Sequence, residues 1–131
     1  MGALTVELTE ANFEAAVKKN GILFIDFWAQ WCPPCRAFAP VFEAAAATHT
    51  DIVFAKVNTE EQPGLGAAFE IQAIPTLAVF REGVLLFAEA GAIPAKALEQ
   101  LVQKVRELDM DQVRRDIEDI KKRDGAKEPP K

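Results

Sequence analysis

Phe27-Trp28-Ala29-Gln30-Trp31-Cys32-Pro33-Pro34-Cys35 contains the only two cysteines of the chain, two residues apart. The apolar run Ile22 to Trp28 that leads into it reads as a strand covered on both faces. The stretch Arg36 to Thr48 that follows reads as a helix. A Cys-x-x-Cys pair at a strand-to-helix junction has a physical use. A helix N-terminus presents unpaired backbone N–H groups and the positive end of its dipole, and both stabilise a thiolate. Cys32 sits at that end as the expected nucleophile. Cys35, about one turn inward, is the expected resolving thiol. Two other readings are weaker. Half of a structural zinc site would need four ligands, and only His49 could add a third. An inert disulfide here would close a loop too small to stabilise much. The pair therefore points to dithiol–disulfide exchange, with no metal.

Working outward, Leu4 to Leu8 alternates as a short strand, and Thr9 offers an N-cap for a helix over Glu10 to Lys19, closed by Asn20-Gly21. Phe38, Val41, Phe42 and Ala45 recur at helical spacing after the cysteines, with Pro40 among them as an expected kink. Ile52 to Asn58 is a further apolar strand, broken only by Lys56. A short helix starts at Gln62-Pro63-Gly64 and runs through Phe69. Ile74-Pro75-Thr76 leads into a strand from Leu77 to Phe80. Glu82-Gly83 is a hairpin turn, and Val84 to Glu89 is the return strand. Pro94 starts a helix through Leu98, Leu101, Val102 and Val105. The order βαβαβαββα predicts an α/β fold, a central mixed β-sheet flanked by helices on both faces, with parallel crossovers first and a hairpin last.

At 131 residues, half of them hydrophobic, the chain is long enough for one well-filled core. A net charge of −5 offers no basic surface for nucleic acid. Asp26 interrupts the best apolar run, which falls short of the ~18 residues a membrane span needs. The start Met1-Gly2-Ala3-Leu4-Thr5-Val6-Glu7 lacks the basic and apolar segments of a signal peptide, so a cytoplasmic location is expected. Residues 107–131 differ in composition, with seven basic and eight acidic residues and no aromatics. We expect residues 1–106 to form the main domain and 107–131 a charged helical extension. Met110, Val113, Ile117 and Ile120 would share one face of that extension, Asp124-Gly125 would end it, and a disordered tail would follow.

The chain resembles the thioredoxin family over roughly Leu4 to Val105. The residues that carry the likeness are Asp26-Phe27-Trp28-Ala29, Trp31-Cys32-x-Pro34-Cys35, Pro40, Lys56, Ile74-Pro75-Thr76, Gly83 and Gly91-Ala92. The resemblance implies a thioredoxin-like fold and a protein disulfide reductase that serves cell redox homeostasis by electron transfer to target proteins. Its partners would be disulfide-containing targets and a flavoprotein reductase, thioredoxin reductase, that draws on NADPH. No cofactor would be bound beyond the redox-active Cys32–Cys35 disulfide, and a monomer is expected. Asp26, an acid in an apolar strand, is expected inward beneath the cysteines. Burial would raise its pKa and make it a proton acceptor for Cys35. Lys56 would modulate it. The bland alternative pairs Asp26 with Lys56 as a structural ion pair. Pro75 falls where the family has a cis proline, which would place the Ile74 backbone beside Cys32, where an extended substrate could add as a strand. Trp31, Pro34, Ile74, Gly91 and Ala92 would form a flat apolar collar around Pro75. Trp28 would pack under the active-site loop, and Glu60 stands where the family often has Asp.

Pro33 departs from the family, whose usual residue there is Gly. Pro33 and Pro34 lack N–H groups, so between Cys32 and Cys35 only the Cys35 amide can donate to the Cys32 thiolate. The expected result is a potential similar to, or modestly more reducing than, the family's. Trp-Cys-Pro-Pro-Cys also resembles tryparedoxin-like and nucleoredoxin-like proteins, but these usually lack the Asp26-Phe27-Trp28-Ala29 run. Two alternatives to a reductase are a thiol oxidant or isomerase, and a binding module that docks through its C-terminal helix with incidental redox activity.

Overall fold

The computed structural model describes residues 4–19 and 21–127, with side chains through Arg123. Asn20 of the first helix stop and the last residues of the expected disordered tail lie outside the described residues. The elements in chain order are β1 (Val6–Glu7), α1 (Phe13–Lys19), β2 (Ile22–Trp28), α2 (Pro33–Thr48), β3 (Val53–Asn58), α3 (Pro63–Ala68), β4 (Thr76–Arg81), β5 (Val84–Ala90), α4 (Ala95–Glu107) and α5 (Met110–Lys127). Two compact units are present, Met1–Glu99 and Gln100–Lys131, and the division falls within α4.

The sheet of the first unit has the strand order β1-β3-β2-β4-β5. β3 runs parallel to both β1 and β2, while β4 is antiparallel to β2 and to β5. The β4–β5 hairpin turns on Glu82 and Gly83, at φ of 53° and 81°. Left-handed backbone at both positions suits the twist of a two-residue hairpin, and Gly supplies it without a Cβ penalty.

β2 is central, and the period-2 alternation of its side chains builds both halves of the core. Leu23, Ile25 and Phe27 join Ala55, Val57, Ala78 and Phe80 on one face, with Phe13, Ala16 and Val17 of α1 and Leu65 of α3 packed there. Phe69, just past α3, ties this layer together, with its ring 5.3 Å from Phe13, 5.3 Å from Phe27 and 6.0 Å from Phe80. On the opposite face Phe24 stacks on Phe54 at 5.2 Å, and Phe54 meets Phe42 of α2 edge-on at 5.3 Å. Asp26 and Trp28 follow Phe24 at the same parity, so they share the face that α2 covers.

Several boundaries differ from expectation: β1 is only Val6–Glu7, shorter than the Leu4–Leu8 run, and three helix ends move. α1 starts at Phe13 instead of Glu10, because Thr9 to Asn12 form a turn in which each residue's side chain bonds the other's amide. Thr9 N–H donates to Asn12 Oδ1 at 2.7 Å and Asn12 N–H to Thr9 Oγ1 at 3.3 Å, so Thr9 keeps its capping role. α2 starts at Pro33 instead of Arg36, with Cys32 as its N-cap. Proline suits the first helical turn, where its missing N–H would have no intrahelical partner and its fixed φ is already helical. α5 continues through Asp124-Gly125 to Lys127. One glycine costs a helix only about 1 kcal/mol and does not by itself stop it. Pro40 lies inside α2, on its exposed side. In the second unit Met110 is buried, Val113 and Ile117 are half-buried and Ile120 is exposed.

Candidate active site

The end of β2 and the start of α2 place the two cysteines. Cys32 and Cys35 are joined as a disulfide with Cα atoms 5.2 Å apart. Cys32, at φ −90° and ψ 109°, holds the extended geometry of an N-cap, and its Sγ accepts the Cys35 N–H at 3.2 Å. The residues between them, Pro33 and Pro34, offer no N–H. The thiolate that forms on reduction thus has the helix end beneath it and one amide aimed at it. Both cysteines are nearly covered, at 3 % and 2 % exposure, whereas Trp31 beside them is 63 % exposed. Ala29, Trp28 and Ile74 pack around the pair.

A second segment closes the site from the side. The Ile74–Pro75 bond is cis, and Cys32 Sγ lies 3.6 Å from the Ile74 carbonyl oxygen. Pro75 is buried, and its carbonyl accepts the Gly91 N–H at 2.8 Å. Gly91 has φ of +117°, a conformation that only glycine adopts without strain. This bond brings the Gly91-Ala92 turn, exposed at both residues, alongside Pro75. Thr76 Oγ1 donates to the Ala73 carbonyl at 2.6 Å and braces the turn before Pro75. Trp31 and Pro34 are exposed and Ile74 is half-buried.

Within β2, Asp26 is completely buried. Its register neighbours are Lys56 on β3 and Leu77 on β4. Neither carboxylate oxygen has a hydrogen-bond partner among the described residues. Burial therefore dominates its electrostatics and pushes the carboxyl up from 3.8 to about 7; the Lys56 charge pulls it down and the Glu43 charge pushes it further up. Asp26 and Lys56 form no direct ion pair. The Lys56 Nζ lies over the Trp28 ring, 4.8 Å from its centroid, and acts on Asp26 only through space. Trp28 is half-buried, and its Nε1 has no partner among the described residues. Glu60, which stands where the family often has Asp, is exposed, and its N–H donates to Asn58 Oδ1 at 2.9 Å.

Two residues escaped the sequence reading. Glu43 on α2 influences Asp26, and its Oε2 accepts the Thr5 hydroxyl at 2.9 Å. Thr59 fixes Trp28 from below: its N–H and its hydroxyl both donate to the Trp28 carbonyl, at 2.9 and 3.1 Å. No local pattern marks either one, since each acts across elements far apart in sequence.

The thioredoxin family profile matches residues 4–104. A Streptomyces coelicolor protein named "Putative thioredoxin 2" is 51% identical over 113 residues, covering 86% of this chain and 84% of that protein. The thioredoxin of Alicyclobacillus acidocaldarius is 42% identical over 96 residues, 72% of this chain and 91% of its own. Among solved structures, Plasmodium falciparum thioredoxin superposes with a TM-score of 0.71 at 33% identity, over 76% of this chain and 98% of that one. A redox-active Cys32–Cys35 disulfide at a helix N-terminus, set on this fold, performs dithiol–disulfide exchange and makes the protein a thiol–disulfide oxidoreductase. Similarity along most of the chain and the geometry of the cysteine pair agree, and the chain belongs to the thioredoxin family.

Proposed function

We propose that the protein reduces disulfides in other proteins, with Cys32 as nucleophile, Cys35 as resolving thiol and Asp26 as proton acceptor. The Cys32 thiolate attacks one sulfur of a target disulfide, forming a mixed disulfide and releasing the other sulfur as a thiolate. Cys35 loses its proton to Asp26 and attacks Cys32 Sγ. The Cys32–Cys35 disulfide forms, the second target sulfur leaves, and two electrons have passed to the target. The observation that carries this reading is the Cys32–Cys35 disulfide at the N-terminus of α2, with the Cys35 N–H aimed at Cys32 Sγ; the buried Asp26 carboxyl, raised to about 7, supports its part as the proton acceptor. A base with a pKa near the working pH exchanges protons in both directions at little cost. Lys56 tunes that base through space.

Trp31, Pro34, Ile74, Pro75, Gly91 and Ala92 are the proposed docking surface, with an extended target segment pairing to the Ile74 backbone. Trp28, Pro33 and Pro40 are the proposed structural residues near the site. Reduction of the disulfide by a flavoprotein thioredoxin reductase at the expense of NADPH, a cytoplasmic location and a monomeric state complete the proposal. So does a division into a thioredoxin domain over 1–106 and an appended helix over 107–131. Among the described residues no helix is long and apolar enough to cross a membrane.

The test is the equilibrium potential of Cys32/Cys35, titrated against a dithiol buffer and followed by Trp28 and Trp31 fluorescence. A value near or below about −250 mV supports a reductase. A value above about −200 mV overturns it in favour of an oxidant or isomerase.

A further inference from the structure

Beside the cysteines lies an open groove of about 570 Å³ that none of the catalytic steps uses. Trp31 and Ile74 form its end nearest the disulfide, and it extends from them along α3 and the chain that follows. Its walls are low because Gly66, Ala67 and Ala73 have small side chains or none. One charged side chain lines it, that of Glu70.

Glu70 is placed there by the way α3 ends. The Glu70 N–H donates to the Ala67 carbonyl at 3.0 Å and the Ile71 N–H to the Gly66 carbonyl at 2.9 Å. This pair of bonds is the helix stop that normally has glycine at its left-handed position. Here Glu70 occupies that position, at φ of 53°. The stop turns the chain back along the groove and fixes the backbone from which the carboxylate projects. Glu70 is exposed and has no cationic partner among the described residues. Glu60 and Glu61, exposed on the loop before α3, add charge of the same sign nearby.

Resting on the docking mode proposed above, we infer that this groove is a side-chain subsite that selects target disulfides flanked by lysine or arginine. A segment paired with the Ile74 backbone passes Trp31 and enters the groove next, so the residues it lays there are those adjoining its reacting cysteine. Their aliphatic stems lie over the small-residue walls, and a cationic head reaches Glu70. An acidic residue in the same place would meet Glu70 and the field of Glu60 and Glu61. The preference is thus part attraction and part exclusion.

The test uses three peptides, each closed by one disulfide and carrying Lys, Gln or Glu at both flanking positions. The rate at which the reduced protein opens each is followed by tryptophan fluorescence. Wild type is expected to favour the Lys over the Glu peptide about fivefold at low salt, and less as salt screens the pair. Glu70→Gln should lower that ratio toward one, leaving the part due to Glu60 and Glu61, and Glu70→Lys should invert it. Each ratio is internal to one variant, so incomplete folding cancels. Equal rates for Lys and Glu peptides on wild type, or a preference that survives Glu70→Lys, would overturn the subsite. Trp31→Ala tests the docking mode separately. If it slows no peptide, the mode itself fails; if it slows all three while Glu70→Lys inverts nothing, only the subsite fails.

Discussion

Replacing Asp26 with alanine should make the protein more stable, and the gain should depend on pH in a way the structure fixes. The folded-state pKa of Asp26 is raised from 3.8 to about 7, chiefly by burial. Below the unfolded value both states hold the proton, and the carboxyl exerts no pH-dependent penalty. Between 3.8 and about 7 the unfolded chain has released its proton while the folded one keeps it, so wild-type stability falls by about 1.4 kcal/mol per pH unit. Above about 7 both are ionised and the loss levels off. The shift amounts to roughly 4 kcal/mol at pH 8, a large share of the stability of a domain this size. Asp26→Ala removes this penalty and also the two unpaired buried oxygens, while leaving a small void. The assay is urea unfolding of the disulfide form, read by tryptophan fluorescence, for wild type and variant from pH 4 to 9. The stability difference between them should widen in favour of Asp26→Ala across the whole interval and then stay constant above pH 8. A difference that does not change with pH would refute the raised pKa, and with it the account of Asp26 as a base poised near neutrality.

The same variant should slow resolution of the mixed disulfide about 100-fold at pH 7, measured by release of target from a preformed adduct, because Cys35 loses its proton acceptor. Lys56→Met removes the one nearby charge that lowers the Asp26 pKa, so the wild-type loss of stability with rising pH should extend to higher pH; a midpoint that moves down contradicts the through-space coupling. Cys35→Ser should accumulate a 1:1 mixed disulfide with a disulfide peptide, visible by mass and reversed by dithiothreitol. Phe54→Ala deletes the ring that stacks on Phe24 and meets Phe42, and should cost about 3–5 kcal/mol in urea unfolding with little change in potential.

The strand-to-helix junction was legible because an apolar run, two cysteines and a helical repeat follow one another without a gap. The sheet followed from it, since crossovers and a two-residue hairpin leave few topologies. Asp26 could be placed by parity alone: it lies two residues from Phe24 and two from Trp28. What stayed hidden was hidden for local reasons. The helix was read from Arg36, yet it begins at Pro33, because the first helical turn needs no N–H from Pro33 or Pro34. The start of α1 was obscured by Thr9 and Asn12, which exchange hydrogen bonds before the helical ladder begins. The end of α3 at Phe69 was legible, but the left-handed residue that makes the stop was not, because Glu70 stands where glycine would have announced it. Glu43 reaches Asp26 only through the rotation of α2 over the sheet, which no short stretch of sequence encodes.

In the proposed mechanism Pro33 and Asp26 act on different halves of the exchange, and this separates their effects. The prolines leave Cys32 Sγ with a single amide donor, at 3.2 Å, so they bear on how well the attacking thiolate is stabilised. A less stabilised thiolate disfavours the reduced form, which makes the dithiol a stronger reductant, and it is also intrinsically more nucleophilic. In the proposed mechanism Asp26 enters only after the mixed disulfide exists, when Cys35 must lose its proton. Pro33→Gly adds one N–H at the first helical position, where it points less directly at the cap than the Cys35 amide does. It should therefore raise the potential by only about 10–30 mV and leave the pH dependence of resolution unchanged. Asp26→Ala should do the reverse, shifting the pH profile of resolution while the attack step keeps its own. If either substitution moves both profiles together, the two groups form one coupled site and the division of labour between the helix end and the buried acid is wrong.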